Sequence, residues 1–305
     1  MIIPATSAGK ETTSMRVWRF PGVNLSFKCV FFQGLLVLCV SSFCGGVCRA
    51  GEPPADSKPG SQPEGMNAPS ANQDPLLPVT GYQTKTIEGW TVFVSDVLMQ
   101  KENEAASRAL DLLQKQLEEI ARVVPAPAVA RLRAVPLWFS PTYPGVRPRA
   151  EYHPEVGWLR KNGRNPAMAK GIEFTNIRIF AEEGRRMPAF VLHELAHSYH
   201  DQMLGFDNPE IKAAYRRAVE RKSYDAVERS FGNPTKKNTT ERAYAMTDAK
   251  EYFAETTEAL FGRNDFYPFN RAELEKHDPE MYRLLRRLWQ CDATSAPPAN
   301  GTGRP

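Results

Sequence analysis

The segment "VLHELAHSYHD", Val191 to Asp201, constrains this chain more than any other. It sets three of the protein's five histidines, together with Glu194, in an otherwise apolar run, so the helix it predicts has to bury ionisable groups. Such burial costs free energy unless something compensates, and a bound metal ion compensates several groups at once. On a helix His193 and His197 lie about 40° apart around the axis and about 6 Å apart along it, so both imidazoles can converge on one ion. Glu194 is turned about 100° from the first histidine, where it can address a metal-bound water rather than the metal.

This is the HExxH spacing of zinc peptidases, in which zinc lowers the pKa of its water to about 7 and a carboxylate takes the proton as the water attacks a carbonyl. His200 shares a face with His193 but lies about 10 Å along the axis, too far for both to bind one ion. Two readings of it stand: a pocket wall or brace for the ligands, or a packed histidine. A catalytic zinc site needs a third protein ligand. No histidine stands six residues beyond His197, and His153 and His277, in proline-bounded polar segments, read as surface or structural residues. A carboxylate on another helix is the better source. "DAKEYFAETTEALFG" supplies it, because Glu251 and Glu255 at i, i+4 share a face: one can bind metal while the other orients a histidine. Asp248 with Glu251 also resembles a capping box, which accounts for Glu251 alone but not for the pair.

The rest of the chain divides by composition. Arg16, Arg19 and Lys28 precede the apolar "CVFFQGLLVLCVSSFCGGVC", so residues 1–50 read as a signal peptide cleaved after Ala50, or as an uncleaved signal anchor that would hold the chain at a membrane. Either way the remainder is exported, to a secreted, periplasmic or cell-surface location. Four of the five cysteines lie in that segment, so a cleaved product keeps only Cys291 and forms no internal disulfide. Residues 51–78 hold seven prolines and three glycines with no aromatic or β-branched residue, the composition of a disordered linker, and the tail 293–305 is similar. Residues 79–292 form one domain. A net charge of +4, with Lys and Arg scattered among Asp and Glu, gives no basis for a nucleic-acid groove.

Within the domain, "TIEGWTVFVSDVLM" reads as a strand, followed by a helix carrying Leu110, Leu113, Leu117, Ile120 and Val124. "AVPLWFS" and "IEFTNIRIF" read as further strands, the second with a bulge near Thr175 and Asn176. Pro188 suits the first turn of the central helix and Gly205 its end. "YDAVERS" and "ERAYAMT" could pair as a hairpin, and helices follow over Lys250 to Phe261 and from Asp278. Strands and helices in this order predict an α+β fold.

"HELAH" followed some fifty residues later by "YAMTDAKEYFAE" resembles the catalytic domain of the anthrax lethal factor-like metallopeptidases, zincins of the gluzincin type with a glutamate third ligand. The match covers roughly Pro188 to Gly262, about a third of the domain, with Ala196 where some relatives have Gly. The resemblance implies one zinc ion held by His193, His197 and Glu251, Glu194 as general base, and Tyr244 as the donor that stabilises the oxyanion or protonates the leaving amine. It also implies a zincin-like fold in which "GIEFTNIRIF" lines the cleft and pairs with a peptide or protein substrate. The toxin's receptor-binding and kinase-docking parts have no counterpart here, so its substrate does not transfer. A catalytically silent zincin-fold binding module and a cell-wall peptide amidase are the competing readings.

Overall fold

Strand-forming residues come first in the part of the chain described by the computed structural model, residues 78–292. The expected export segment 1–50, the linker up to residue 77 and the tail 293–305 lie outside the described residues. β1 (Tyr82–Ile87) and β2 (Trp90–Ser95) pair antiparallel. One continuous strand is expected here, but Glu88 and Gly89 at φ 51° and 87° reverse the chain in a two-residue turn, the geometry that suits a twisted hairpin. α1 (Asp96–Lys101) then takes up "DVLM", and α2 (Asn103–Val123) follows as its apolar spacing predicts, burying Leu113, Leu117 and Ile120.

After α3 (Ala126–Leu132), the short strands β3 (Leu137–Phe139) and β4 (Ala150–Tyr152), the helix α4 (Val156–Lys161) and β5 (Ile172–Phe174) complete a five-stranded sheet in the order β1-β2-β3-β5-β4. β2, β3 and β5 run parallel, while β4 pairs antiparallel with β5 at the sheet edge. Two expectations about "IEFTNIRIF" therefore fail. The strand stops at Phe174 instead of bulging and continuing, and residues 177–179 form a 3-10 turn leading into α5 (Phe180–Arg186), which lets Phe180 join the core. Nor is β5 free to accept a substrate strand, because β3 and β4 occupy both its edges. Of the two edge strands, β1 and β4, it is β4 that lies beside the central helix.

Alternation along β2, β3 and β5 sends Val92, Val94, Leu137, Phe139, Ile172 and Phe174 to the main core, while Phe93 and Trp138 face a smaller cluster with Leu159 and Met168. Phe174, Phe180 and Phe190 form an aromatic chain, with centroids 5.7 and 4.9 Å apart, that carries the core from the sheet to the central helix.

That helix, α6 (Phe190–Tyr199), begins two residues after Pro188 and continues through a π-helical turn at His200–Leu204 to Gly205, whose φ of 77° ends it as expected. α7 (Pro209–Arg221) is followed by β6 (Val227–Arg229) and β7 (Thr239–Glu241), the expected hairpin, though its second strand ends before "AYAMT". Tyr244–Met246 is a 3-10 turn. Within the hairpin loop Gly232 sits at φ 60°, and a Cβ there would meet the Arg185 carbonyl oxygen at 1.7 Å, so the loop lies directly on the end of α5. α8 (Ala249–Phe261), α9 (Arg271–His277) and α10 (Pro279–Leu288) complete the domain. Asp248 caps α8 through Lys250 and Glu251 N–H, and Trp289 stacks on Tyr199 at 4.1 Å, tying the end of α10 to α6. The fold is α+β. Among the described residues no helix is long and apolar enough to cross a membrane.

Candidate functional site

Helices α6 and α8 pack against each other, and their facing side chains meet in one cluster. His193 Nε2 lies 3.1 Å from His197 Nε2 and 3.1 Å from Glu251 Oε2, and His197 Nε2 lies 3.3 Å from the same oxygen. The i, i+4 spacing aligns the histidines, and the Asp248 cap sets the first turn of α8 that presents Glu251. A tetrahedral zinc ion with bonds of about 2.0–2.1 Å needs ligand atoms about 3.3 Å apart, so these three atoms fit such an ion.

His193 Nδ1 lies 2.7 Å from Glu258 Oε1, so a proton on Nδ1 is held there and Nε2 is left facing His197 and Glu251. Three electron-rich atoms thus converge, an arrangement that a cation satisfies. The protonation balance points the same way. Burial opposes charge on His193, but hydrogen bonds to Glu251 and Glu258 raise its pKa well above the ordinary value. Burial likewise works to raise Glu251, yet its bonds to both imidazoles hold its carboxyl well below the usual range. The pocket between the two helices favours positive charge next to a carboxylate.

Glu255 was expected as the histidine's partner if Glu251 is the ligand, but it lies 3.8 Å from His193 Nδ1 and makes no hydrogen bond. Burial and the neighbouring Glu258 push its carboxyl well above the usual range. Glu258, seven residues beyond Glu251 and on the same face of α8, takes that role. The repeat Glu251, Glu255, Glu258 at i, i+4, i+7 was the available signal. A second group of potential ligands, His193 with Glu255 and Glu258, lies behind the first and shares its histidine.

Glu194 projects to the other side of His193, where its Oε2 accepts the main-chain N–H of Tyr152 at 2.8 Å. Arg149 and His153 direct their main-chain groups to β5 partners, so Ala150 and Tyr152 between them face away from it, toward α6. Two cavities flank this point, of about 410 and 330 Å³, and both are lined by Arg149, Ala150, His193, Glu194 and Tyr244. They are two halves of one cleft along β4. Tyr244, 48% exposed, has its ring centroid 6.5 Å from that of His193. Burial, then the charge of Glu251, raises its phenol to about 12, so at neutral pH it remains a donor.

The remaining histidines lie outside the cleft. His200 is fully buried against Phe206 and Phe253 with both ring nitrogens unpartnered, so of its two readings the packed one holds and it lines neither cavity. His153 is buried against Glu173, and His277 packs on Tyr224 and Tyr267. Burial lowers the His200 pKa to about 4, whereas an unfolded histidine titrates near 6.5. Between those values the unfolded chain binds a proton that the folded chain does not, so stability falls as pH falls through this window. His200→Leu is expected to remove about 2 kcal/mol of the stability difference between pH 7 and 5, read as a smaller shift of the urea midpoint than in the unaltered protein.

No protein-family model matches the chain, and no curated protein and no solved structure matches it either.

Proposed function

We propose that this chain is an exported zinc metallopeptidase with a zincin-like domain, acting on a peptide or protein substrate. The observation that carries the reading is the convergence of His193, His197 and Glu251 at tetrahedral spacing, with Glu194 and the open edge of β4 beside it. The likeness of "HELAH" and "YAMTDAKEYFAE" to the lethal factor-like family supports it independently, since the residues that motif implies as ligands are the ones that meet. A zinc ion in that site supplies Lewis acidity and a water acidified to about pKa 7.

The protein's own groups have distinct tasks. Tyr152 N–H anchors one oxygen of Glu194 and leaves the other to take a proton from the attacking water and pass it to the leaving amine. Glu258 keeps His193 in the tautomer that offers Nε2. Tyr244 donates to charge developing on the substrate carbonyl oxygen. The outward N–H and C=O of Ala150 offer a substrate main-chain pairing, most favourably antiparallel to β4. Retention of both Glu194 and Tyr244 favours an enzyme over a silent binding module.

Elemental analysis of residues 79–292 tests the site. About one zinc per chain is expected, falling below half in Glu251→Ala. A folded, unaltered domain that stays free of metal after incubation with zinc would sink the proposal.

A further inference from the structure

We propose that Asp201 is a positioning residue for peptide hydrolysis: by anchoring the Tyr152 phenol it holds the Tyr152 N–H at Glu194, the proposed base; this rests on the peptidase reading above. Tyr152 Oη donates to Asp201 Oδ2 at 2.7 Å, and its main-chain N–H donates to Glu194 Oε2 at 2.8 Å. One residue of β4 thus grips the central helix at two points. Glu194 and Asp201 are seven residues apart, which returns to within about 20° of the same helical face, so both contacts are referred to one rigid element. Asp201 and Lys170 line neither half of the cleft, so any effect they have on the chemistry passes through Tyr152.

The strand needs such a grip. It is three residues long and β5 is the one strand that pairs with it, so it is held by a ladder from one side only. A carboxylate fixed by an N–H of so short a segment is only as well placed as the segment, and an error of about 1 Å at a reacting group can cost about 10²-fold in rate. Lys170 completes the brace. Its Nζ donates to Asp201 Oδ2 at 2.6 Å and its main-chain N–H to the His153 carbonyl at 2.7 Å, so it ties the residue after β4 to the same carboxylate. It does so at φ 61°, a left-handed conformation that glycine adopts more cheaply than lysine. The ammonium on Asp201 accounts for a lysine there.

Asp201 itself lies in the π-helical turn His200–Leu204, a local departure of the kind frequent at functional sites. Burial, then the bond to Asp201, raises the Tyr152 phenol well above its ordinary value, so it stays a donor. The Asp201 side chain is 14% exposed and that of Lys170 48%, so Asp201→Ala leaves the ammonium in water rather than stranding it, and the variant is expected to fold.

The test has two arms. In the first, hydrogen exchange of single amides is followed by NMR in the isotope-labelled full chain without added metal. The amide of residue 152 is expected to exchange about tenfold or more faster in Glu194→Ala, Asp201→Ala and Tyr152→Phe, while the amides of Tyr199 and Tyr252, inside α6 and α8, keep their rates. In the second, the zinc-loaded full chain is assayed on the fastest-cleaved member of a random peptide pool. Asp201→Ala and Tyr152→Phe are expected to lower kcat about tenfold with KM unchanged within about twofold, whereas Asp201→Asn, which still accepts from the phenol, keeps about half of kcat or more. Unchanged exchange at residue 152 in Asp201→Ala and Tyr152→Phe, equal acceleration at all three amides, an unchanged kcat, or a rise in KM alone, the mark of a strand that merely serves substrate pairing, would each overturn the proposal. If Asp201→Ala does not fold, Tyr152→Phe, which removes a single oxygen, decides. No cleavage by the unaltered chain, with exchange at residue 152 as expected, overturns the peptidase and leaves Asp201 as the residue that positions Glu194; cleavage with a kcat indifferent to Asp201 does the reverse.

Discussion

Glu194→Gln is expected to keep its zinc and lose about 10²- to 10⁴-fold in peptide hydrolysis, the usual contribution of a positioned general base. Glutamine has nearly the same shape, and its amide oxygen can still accept the Tyr152 N–H that holds Glu194 at 2.8 Å. What it lacks is a group able to take a proton. Two of the three candidate ligands are anchored elsewhere, His193 through Glu258 and Glu251 through the cap of α8, so zinc content measured on the same preparation should not change. The loss should fall on kcat more than on KM, because the proton moves only as the reaction proceeds. Unchanged turnover removes Glu194 as the base. Loss of zinc along with activity would instead assign it a role in positioning His193.

Arg164→Met is expected to destabilise the domain by about 3–5 kcal/mol, the usual result of leaving one member of a buried ion pair alone. Glu173, 1% exposed in β5, accepts from Arg164 Nη1 at 2.6 Å, from Tyr143 Oη at 2.7 Å and from His153 Nε2 at 3.1 Å. The guanidinium also lies 3.5 Å above the Tyr143 ring. Burial alone would raise the Glu173 carboxyl, but these partners together hold it below its ordinary value. Such a group stabilises the fold above its unfolded pKa, near 4.3, and that stabilisation is lost as pH falls through the lower folded value. Without Arg164 the balance tips toward burial, so acid unfolding should begin at higher pH. Urea titrations followed by tryptophan fluorescence measure the loss, and adding Glu173→Gln should recover part of it by removing the stranded charge. Full stability in Arg164→Met would show that Tyr143 and His153 suffice. The cluster also bears on the cleft, since His153 directly follows β4 and Glu173 pairs with its middle residue.

The parts of the site that were legible in the sequence are those set by spacing on a helix. His193 with His197 and the presentation of Glu251 depend on helical geometry within one short segment each, and the meeting of α6 with α8 follows from their apolar faces. Glu258 is legible in the same way, at i+7 from Glu251, although the pair Glu251 and Glu255 alone already accounts for an oriented histidine. β4 was not legible. It is three residues long, lies among prolines at positions 141, 144, 148 and 154, and owes its conformation to pairing with β5 rather than to any period of its own. For the same reason the continuation expected for β5 is absent: Ile177 and Ile179 have strand propensity, but burying Phe180 between Phe174 and Phe190 rewards a helical turn. The α+β class was correctly expected because it needs only the order of elements.

The contact at Gly232 has a consequence for how this sequence can vary. The β6–β7 loop rests on the Arg185 carbonyl so closely that any side chain at position 232 must lift it, and Arg229 and Glu241 at the base of that loop form one wall of the larger cavity. Position 232 therefore couples a surface loop to the width of the cleft. Substitutions there would alter the width of the cleft without touching any residue of the His193, His197 and Glu251 cluster, so the cavity could be reshaped through this one contact while α6 and α8 stay as they are.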